Sequence, residues 1–254
     1  GIDFVCMQNR LLYITFVFLF LQSSCDKETA PDCFKQNGEE TTITRYTNEF
    51  NCLILNSDID VELVQNQEIR IELSGGKNLL PKIKTQVDNK TLEIDNTNNC
   101  NFVRGYKRKL RLRVYCPNIR RIRNKGVGNI SMPQGFIQDS LEANTESVGD
   151  IEVNGTFDEL VVNSGSHGDI YVKGKSNRFF AYIAGTNYLK AEGLRSKFVY
   201  TNTNGLGDCF VDLSETDLFQ YSITNTGNIY YSGIPVQAVN TGTGTAKGQL
   251  IKVN

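Results

Sequence analysis

Gly149-Asp-Ile-Glu-Val-Asn-Gly155 and Gly168-Asp-Ile-Tyr-Val-Lys-Gly174 are two statements of a single phrase. The phrase occurs six times: Gly128-Asn-Ile130, Gly149-Asp-Ile151, Gly168-Asp-Ile170, Asn187-Tyr-Leu189, Gly207-Asp-Cys209 and Gly227-Asn-Ile229. Successive starts lie 21, 19, 19, 20 and 20 residues apart. A fixed period of about 20 residues marks stacked repeats. Each phrase opens a short alternating strand, and most of these strands close on a second glycine, at Gly155, Gly174, Gly193 and Gly233. A second strand is expected to begin at Leu141, Leu160, Phe179, Phe198, Phe219 and Val236 in turn. Two strands and two turns per repeat make one coil of a β-solenoid. The expected fold is therefore all-β, a single-stranded β-helix with coils of about 20 residues. A lone coil has too little core to hold itself, whereas stacked coils share apolar faces and pair their backbones with both neighbours.

Working outward, the strands continue toward the N-terminus. Thr41–Tyr46, Cys52–Leu55, Ile59–Val64, Ile69–Leu73, Ile83–Val87, Leu92–Ile94 and Leu110–Tyr115 are apolar or alternating runs, several of them bounded by turn residues. No stretch carries an apolar period of about 3.6 residues, so almost no helix is expected. At 254 residues the chain is long enough to bury a large core.

The first 25 residues read as a leader. Met7 is taken as the start, with Gly1 to Cys6 an upstream extension of the reading frame. Leu11 to Leu21 is an apolar run of eleven after Arg10, too short for a span of about 20 residues but right for the core of a signal peptide. Gln22-Ser23-Ser24-Cys25 then resembles a bacterial lipobox, which makes Cys25 the expected lipidated residue and the membrane a partner through that anchor. The lipobox is irregular, because Gln22 stands where the pattern has an apolar residue. The expected organisation is a leader over 1–25, a polar tether over 26–40 and one β-solenoid domain over 41–254, its repeats clearest over 128–240. The expected location is the cell envelope, as an outer-membrane lipoprotein exposed at the surface.

An exported protein meets oxidising conditions, so disulfides are permitted. Cys33 and Cys100 both lie in polar, loop-like sequence and form the candidate bridge. Cys209 takes the slot of Ile151 and Ile170 and reads as a small core residue. There is one histidine and no Cys-x-x-Cys, which argues against a zinc site; no metal and no cofactor are expected.

Segment order then carries a resemblance. Phe50 to Val64, Glu72-Leu-Ser-Gly-Gly-Lys-Asn-Leu-Leu80, the Gly-Asp-Ile repeats and a closing Thr226-Gly-Asn-Ile-Tyr-Tyr-Ser-Gly-Ile-Pro235 are similar to the auto-transporter adhesin head GIN domain family. The likeness covers about residues 40 to 254, with departures at Asn187, Tyr188 and Cys209. It implies secreted or lipidated bacterial proteins of β-solenoid fold, an adhesin-like role, and no catalytic residues to transfer.

The residues offer three candidate chemistries. Asp150 and Asp169 fall in neighbouring coils, and strands about 4.8 Å apart could bring two carboxylates near the separation used by retaining glycosidases. That is the alternative reading, a β-helical polysaccharide hydrolase or lyase. Against it, the same slot reads Asn129, Asp150, Asp169, Tyr188, Asp208 and Asn228, an interchange expected of turn formers that bond local backbone. A catalytic pair needs no copy in every coil. His167 stands beside Ser166 in one turn, too close for a convergent triad. No catalytic residue is expected.

The second candidate is basic. Ten Lys or Arg and no acid lie between Arg104 and Lys125. Arg111 and Arg113 share a parity in one strand, and Arg121 and Arg123 share it in the next, a face that could hold a polyanion. Glu62 and Glu72 on adjacent strands are expected to balance it. The third candidate is aromatic. The outward slots of the repeat read Glu152, Tyr171, Lys190, Phe210 and Tyr230, so Tyr171, Phe210 and Tyr230 could stack a glycan or support self-association. A net charge of −1 gives no pull toward nucleic acid. The sequence thus points to a non-enzymatic surface protein that binds a glycan, a polyanion or a protein partner.

Overall fold

The computed structural model describes residues 37–98 and 110–253, and these form a β-solenoid. The reason is visible in the register. Leu112, Val61, Ile130, Ile151, Ile170, Leu189, Cys209, Ile229 and Leu250 stand side by side in parallel strands, one from each coil. All but the last are buried. They belong to a first face built from β7 (Arg111–Cys116), β3 (Asp60–Gln65), β9 (Ile130–Ser131), the first halves of β11 (Ile151–Ser164), β12 (Ile170–Ile183) and β13 (Leu189–Thr203), and then β14 (Cys209–Asp212), β16 (Ile229–Ser232) and β18 (Leu250–Lys252).

A second face packs against it. It comprises β6 (Thr91–Asn96), β2 (Cys52–Leu55), β8 (Arg121–Asn124), the second half of β10 (Phe136–Thr145), the second halves of β11 to β13, β15 (Leu218–Ile223) and β17 (Gln237–Asn240). Its inward column runs Leu141, Leu160, Phe179, Val199 and Phe219, all buried, and ends in register at Ala238, which is exposed. Two positions in this column differ from the residues at which the sequence reading began its second strands, Phe198 and Val236. The register between β12 and β13 shifts between Tyr171 and Lys173, because β13 carries one extra residue. Side chains alternate along a strand, so one inserted residue exchanges inside for outside. Phe198 therefore faces outward and Val199 is buried. Val236 follows Pro235 outside the strand and is 83% exposed.

Coil order differs from chain order at the N-terminal end. β2 and β3 form a coil flanked on one side by β6 and β7, and on the other by β8 and β9. The excursion between β3 and β6 lays β4 (Arg70–Gly76) antiparallel on β7 and β5 (Ile83–Asp88) antiparallel on β6, and β1 (Glu40–Tyr46), which precedes β2, adds antiparallel to β4. A solenoid end presents unpaired strand edges and an open core, and these strands cover both. The Arg45 guanidinium ties the cap together, donating to the carbonyls of Ile83 at 2.7 Å and Leu80 at 3.0 Å.

The Asn and Asp of the phrase have a defined task. Asp60, Asn129, Asp150 and Asp169 each accept, through Oδ1, the backbone N–H of the equivalent residue one coil on, at 2.8–3.1 Å. Asp208 and Asn228 do the same for Asn228 and Gln249. The bonds run between coils rather than within one turn, which corrects the expectation of local turn chemistry. Both Asn and Asp supply that oxygen, which explains their interchange. Tyr188 has no such oxygen and interrupts the ladder.

Candidate binding faces

The outer column of the first face reads Glu62, Ser131, Glu152, Tyr171, Lys190, Phe210 and Tyr230 in successive coils. Most of its members are engaged, by one another or by neighbours. Lys173 pairs with Glu152 at 2.6 Å, the Lys190 ammonium sits 5.5 Å from the Tyr171 ring centroid, and Phe210 stacks on Tyr230 at 5.0 Å with planes 10° apart. Lys190 separates Tyr171 from the other two rings, so the three aromatics expected to act together form a single ring and a stacked pair.

The four arginines are divided. Arg111 and Arg113 lie on β7 of the first face, and Arg121 and Arg123 on β8 of the second. Three of them are neutralised in place. Arg113 pairs with Glu62 at 2.9 Å and approaches Glu72 at 3.9 Å; Arg121 pairs with Glu142 at 2.8 Å; Arg123 grips Glu146 through two bonds of 2.6 and 3.0 Å. Burial raises the Glu142 pKa, but bonds from Asn144 and Arg121 outweigh it and hold the carboxyl below its ordinary value. Exposed pairs of this kind contribute little, about 0.2–1 kcal/mol each. Arg121→Ala is accordingly expected to change stability by less than about 1 kcal/mol, an effect that shrinks further when urea titrations are repeated at high salt.

A site that the sequence reading missed lies on the second face. Phe180 and Tyr200 occupy adjacent outward slots, Phe198 stands beside them, and Tyr182 lies two residues beyond Phe180. Ring centroids are 5.3 Å apart for Phe180 and Phe198, 6.4 Å for Phe180 and Tyr200, and 5.5 Å for Tyr182 and Tyr200. Three rings are half-buried and Tyr182 is 42% exposed, so the four make one continuous aromatic platform. Polar side chains frame it. Asn163 donates to Asn144 at 2.6 Å, Asn202 donates to the Tyr200 hydroxyl at 3.3 Å, and Arg178 pairs with Glu159 at 3.0 Å. The signal was in the sequence as Phe179-Phe180 and Phe198-Val199-Tyr200. Reading it required the extra residue of β13, which turns Phe198 outward.

The catalytic alternatives find their side chains engaged elsewhere. Asp150 and Asp169 each hold a backbone N–H of the next coil. His167 is an exposed turn residue, its Nδ1 3.4 Å from the Ser166 hydroxyl. Burial pushes the thiols of Cys116 and Cys209 up to about 12, so both stay protonated near neutral pH. Among the described residues no group of three His, Cys, Asp or Glu is arranged to hold a metal ion. Cys25, Cys33 and Cys100 lie outside the described residues.

The family description "Putative auto-transporter adhesin, head GIN domain" matches residues 49–235, which takes in both faces and most of the coils. The chain belongs to this family. A search of curated proteins finds no match. Among solved structures, a "putative adhesin" from Bacteroides fragilis NCTC 9343 superposes with a TM-score of 0.72 at 22% identity, covering 85% of this chain and 97% of that one. A second "putative adhesin", from Parabacteroides distasonis ATCC 8503, gives a TM-score of 0.62 at 18% identity over 85% of this chain and 98% of that one. A "putative lipid binding protein" from the same Parabacteroides strain gives 0.65 at 18% identity over 86% and 98%. At these identities the likeness is one of fold.

Proposed function

We propose that this head GIN domain protein is a non-enzymatic, adhesin-like protein of the bacterial cell envelope that takes a glycan on the aromatic platform of its second face. The family description supports the adhesin-like role. The platform is the observation that carries the ligand. Four contiguous rings, their planes tilted 48–54° to one another, offer a continuous apolar surface, and the flanking amides of Asn163 and Asn202 and the Tyr200 hydroxyl supply polar groups at its margin. Sugars present the same combination, apolar C–H faces edged by hydroxyls, and ligand sites pair apolar walls with a few placed polar groups. Lipidation at Cys25 and the tether over 26–40 place the solenoid at the end of a membrane anchor in this reading.

The test is affinity electrophoresis of residues 26–254 through gels containing individual polysaccharides, with Phe180→Ala and Tyr200→Ala beside the parent chain. At least one polysaccharide should retard the parent, and each variant should bind it at least tenfold more weakly while keeping its circular dichroism spectrum. Unchanged retardation of folded variants would remove the platform from the site. Sedimentation that shows a dimer lost in the variants would instead make the face a self-association surface.

A further inference from the structure

At the corner between the two faces, two cavities of about 340 and 750 Å³ adjoin and share Arg120 and Ser140. The wall of the larger is fixed by two glutamines. Gln65 donates to the carbonyls of Pro117 and Ile137 and accepts from the Ile137 N–H, each at 2.9 Å. Gln138 accepts from the Ile119 N–H at 3.1 Å and donates to the Ile119 carbonyl at 2.7 Å. Fixed walls lower the ordering cost of a ligand that enters.

Inside this frame some groups have no task. Arg120, Gln67, Asn118, Asp139 and the Ser140 hydroxyl make no side-chain hydrogen bond or ion pair among the described residues, and all five line the larger cavity. The acids of the smaller cavity are already committed, and the unpaired acid nearby, Asp139, lines only the larger. Glu142 is held by Arg121 and Glu159 by Arg178, which leaves Arg120 the uncompensated cation of the smaller cavity. Ile137, 77% exposed, adds an apolar patch at the wall. The smaller cavity also reaches Val161, whose strand neighbour is Phe180 of the platform. The cleft and the rings therefore belong to one surface.

We propose that this cleft selects carboxylated saccharides, uronate-bearing glycans whose carboxylate docks on Arg120 while the next sugars lie over the aromatic platform. A guanidinium presents paired N–H donors that match a carboxylate. Asn118, Gln67 and Ser140 can donate to ring hydroxyls or accept from them, and Asp139 can accept. The inference rests on the glycan reading and adds the charge of the ligand.

The probes are polygalacturonate, alginate and hyaluronan, each run beside its carboxyl-reduced neutral form in the same electrophoresis. Expected is a preference of at least tenfold for one acidic polymer over its neutral form. Arg120→Gln should abolish that preference without weakening binding to the neutral form, whereas Tyr200→Ala should weaken both. Lys125→Gln, which removes the same charge elsewhere, should leave the preference intact. Equal binding of acidic and neutral forms, or a preference that survives Arg120→Gln, overturns the assignment of Arg120 and leaves the glycan reading standing. Silence with every polymer, acidic and neutral, overturns both.

Discussion

Phe179→Ala is expected to cost about 3–5 kcal/mol, the range for deleting a buried phenylalanine ring. The ring is 1% exposed and sits in register between Leu160 and Val199, so its loss opens a hole shared by neighbouring coils. The sheet on either side is hydrogen-bonded continuously and relaxes poorly into such a hole. In a stacked repeat each coil leans on its neighbours, so a weak coil at the middle of the array loosens both sides. Phe198→Ala is the comparison that gives this result meaning. Phe198 lies outward on the platform, half-buried, and its removal leaves no internal cavity. It should cost less than half as much. Guanidinium titrations of the two variants read the difference as a shift in midpoint at constant slope. Equal costs would mean that the register shift in β13 is misplaced and that Phe198, not Val199, fills the core.

That comparison also locates what the sequence could and could not reveal. The repeat was legible because variants of one Gly-Asp-Ile phrase return six times, and because Ile130, Ile151 and Ile170 must all face inward for the coils to stack. Strand positions before the repeats were legible from alternation alone, and β1, β2 and β6 fall where apolar periodicity puts them. Coil order was not. Nothing local in Leu53 or Leu92 tells that β2 pairs with both β6 and β8, since pairing across such distances is decided by the whole stack. The platform escaped for a smaller reason. One inserted residue reverses the parity of every later side chain in the strand, and periodicity over four or five residues cannot detect a single insertion. The arginines were half legible. Glu62 and Glu72 could be named as partners of the basic strand, but Arg120 stands out only once Glu142 and Glu159 are seen to be taken by Arg121 and Arg178.

The bend between the two faces gives the second large effect. β12 runs unbroken from Ile170 to Ile183, from the first face to the second, and Gly174 lies at the turn with φ of +114°. That conformation is open to glycine and strained for any other residue, at about 1–3 kcal/mol. Space is also lacking, because a Cβ at Gly174 would lie 1.9 Å from the Gly155 carbonyl oxygen of the preceding coil. The obstructing atom is backbone and cannot rotate aside, so the coils must separate locally, at a further cost of about 1–3 kcal/mol typical of overpacking. Gly174→Ala should therefore lower the melting temperature by more than about 4 °C, given about 2–4 °C per kcal/mol for a domain of this size. Gly165→Ala is the control. A Cβ there meets nothing within 4 Å, so its effect should stay within about 0.5 kcal/mol. The cost at Gly174 should also reach the platform, because Phe180 and Tyr182 lie on the same strand just past the bend. A stable Gly174→Ala protein with full glycan binding would mean that the coil turns elsewhere, and that the rings owe their alignment to something other than this bend.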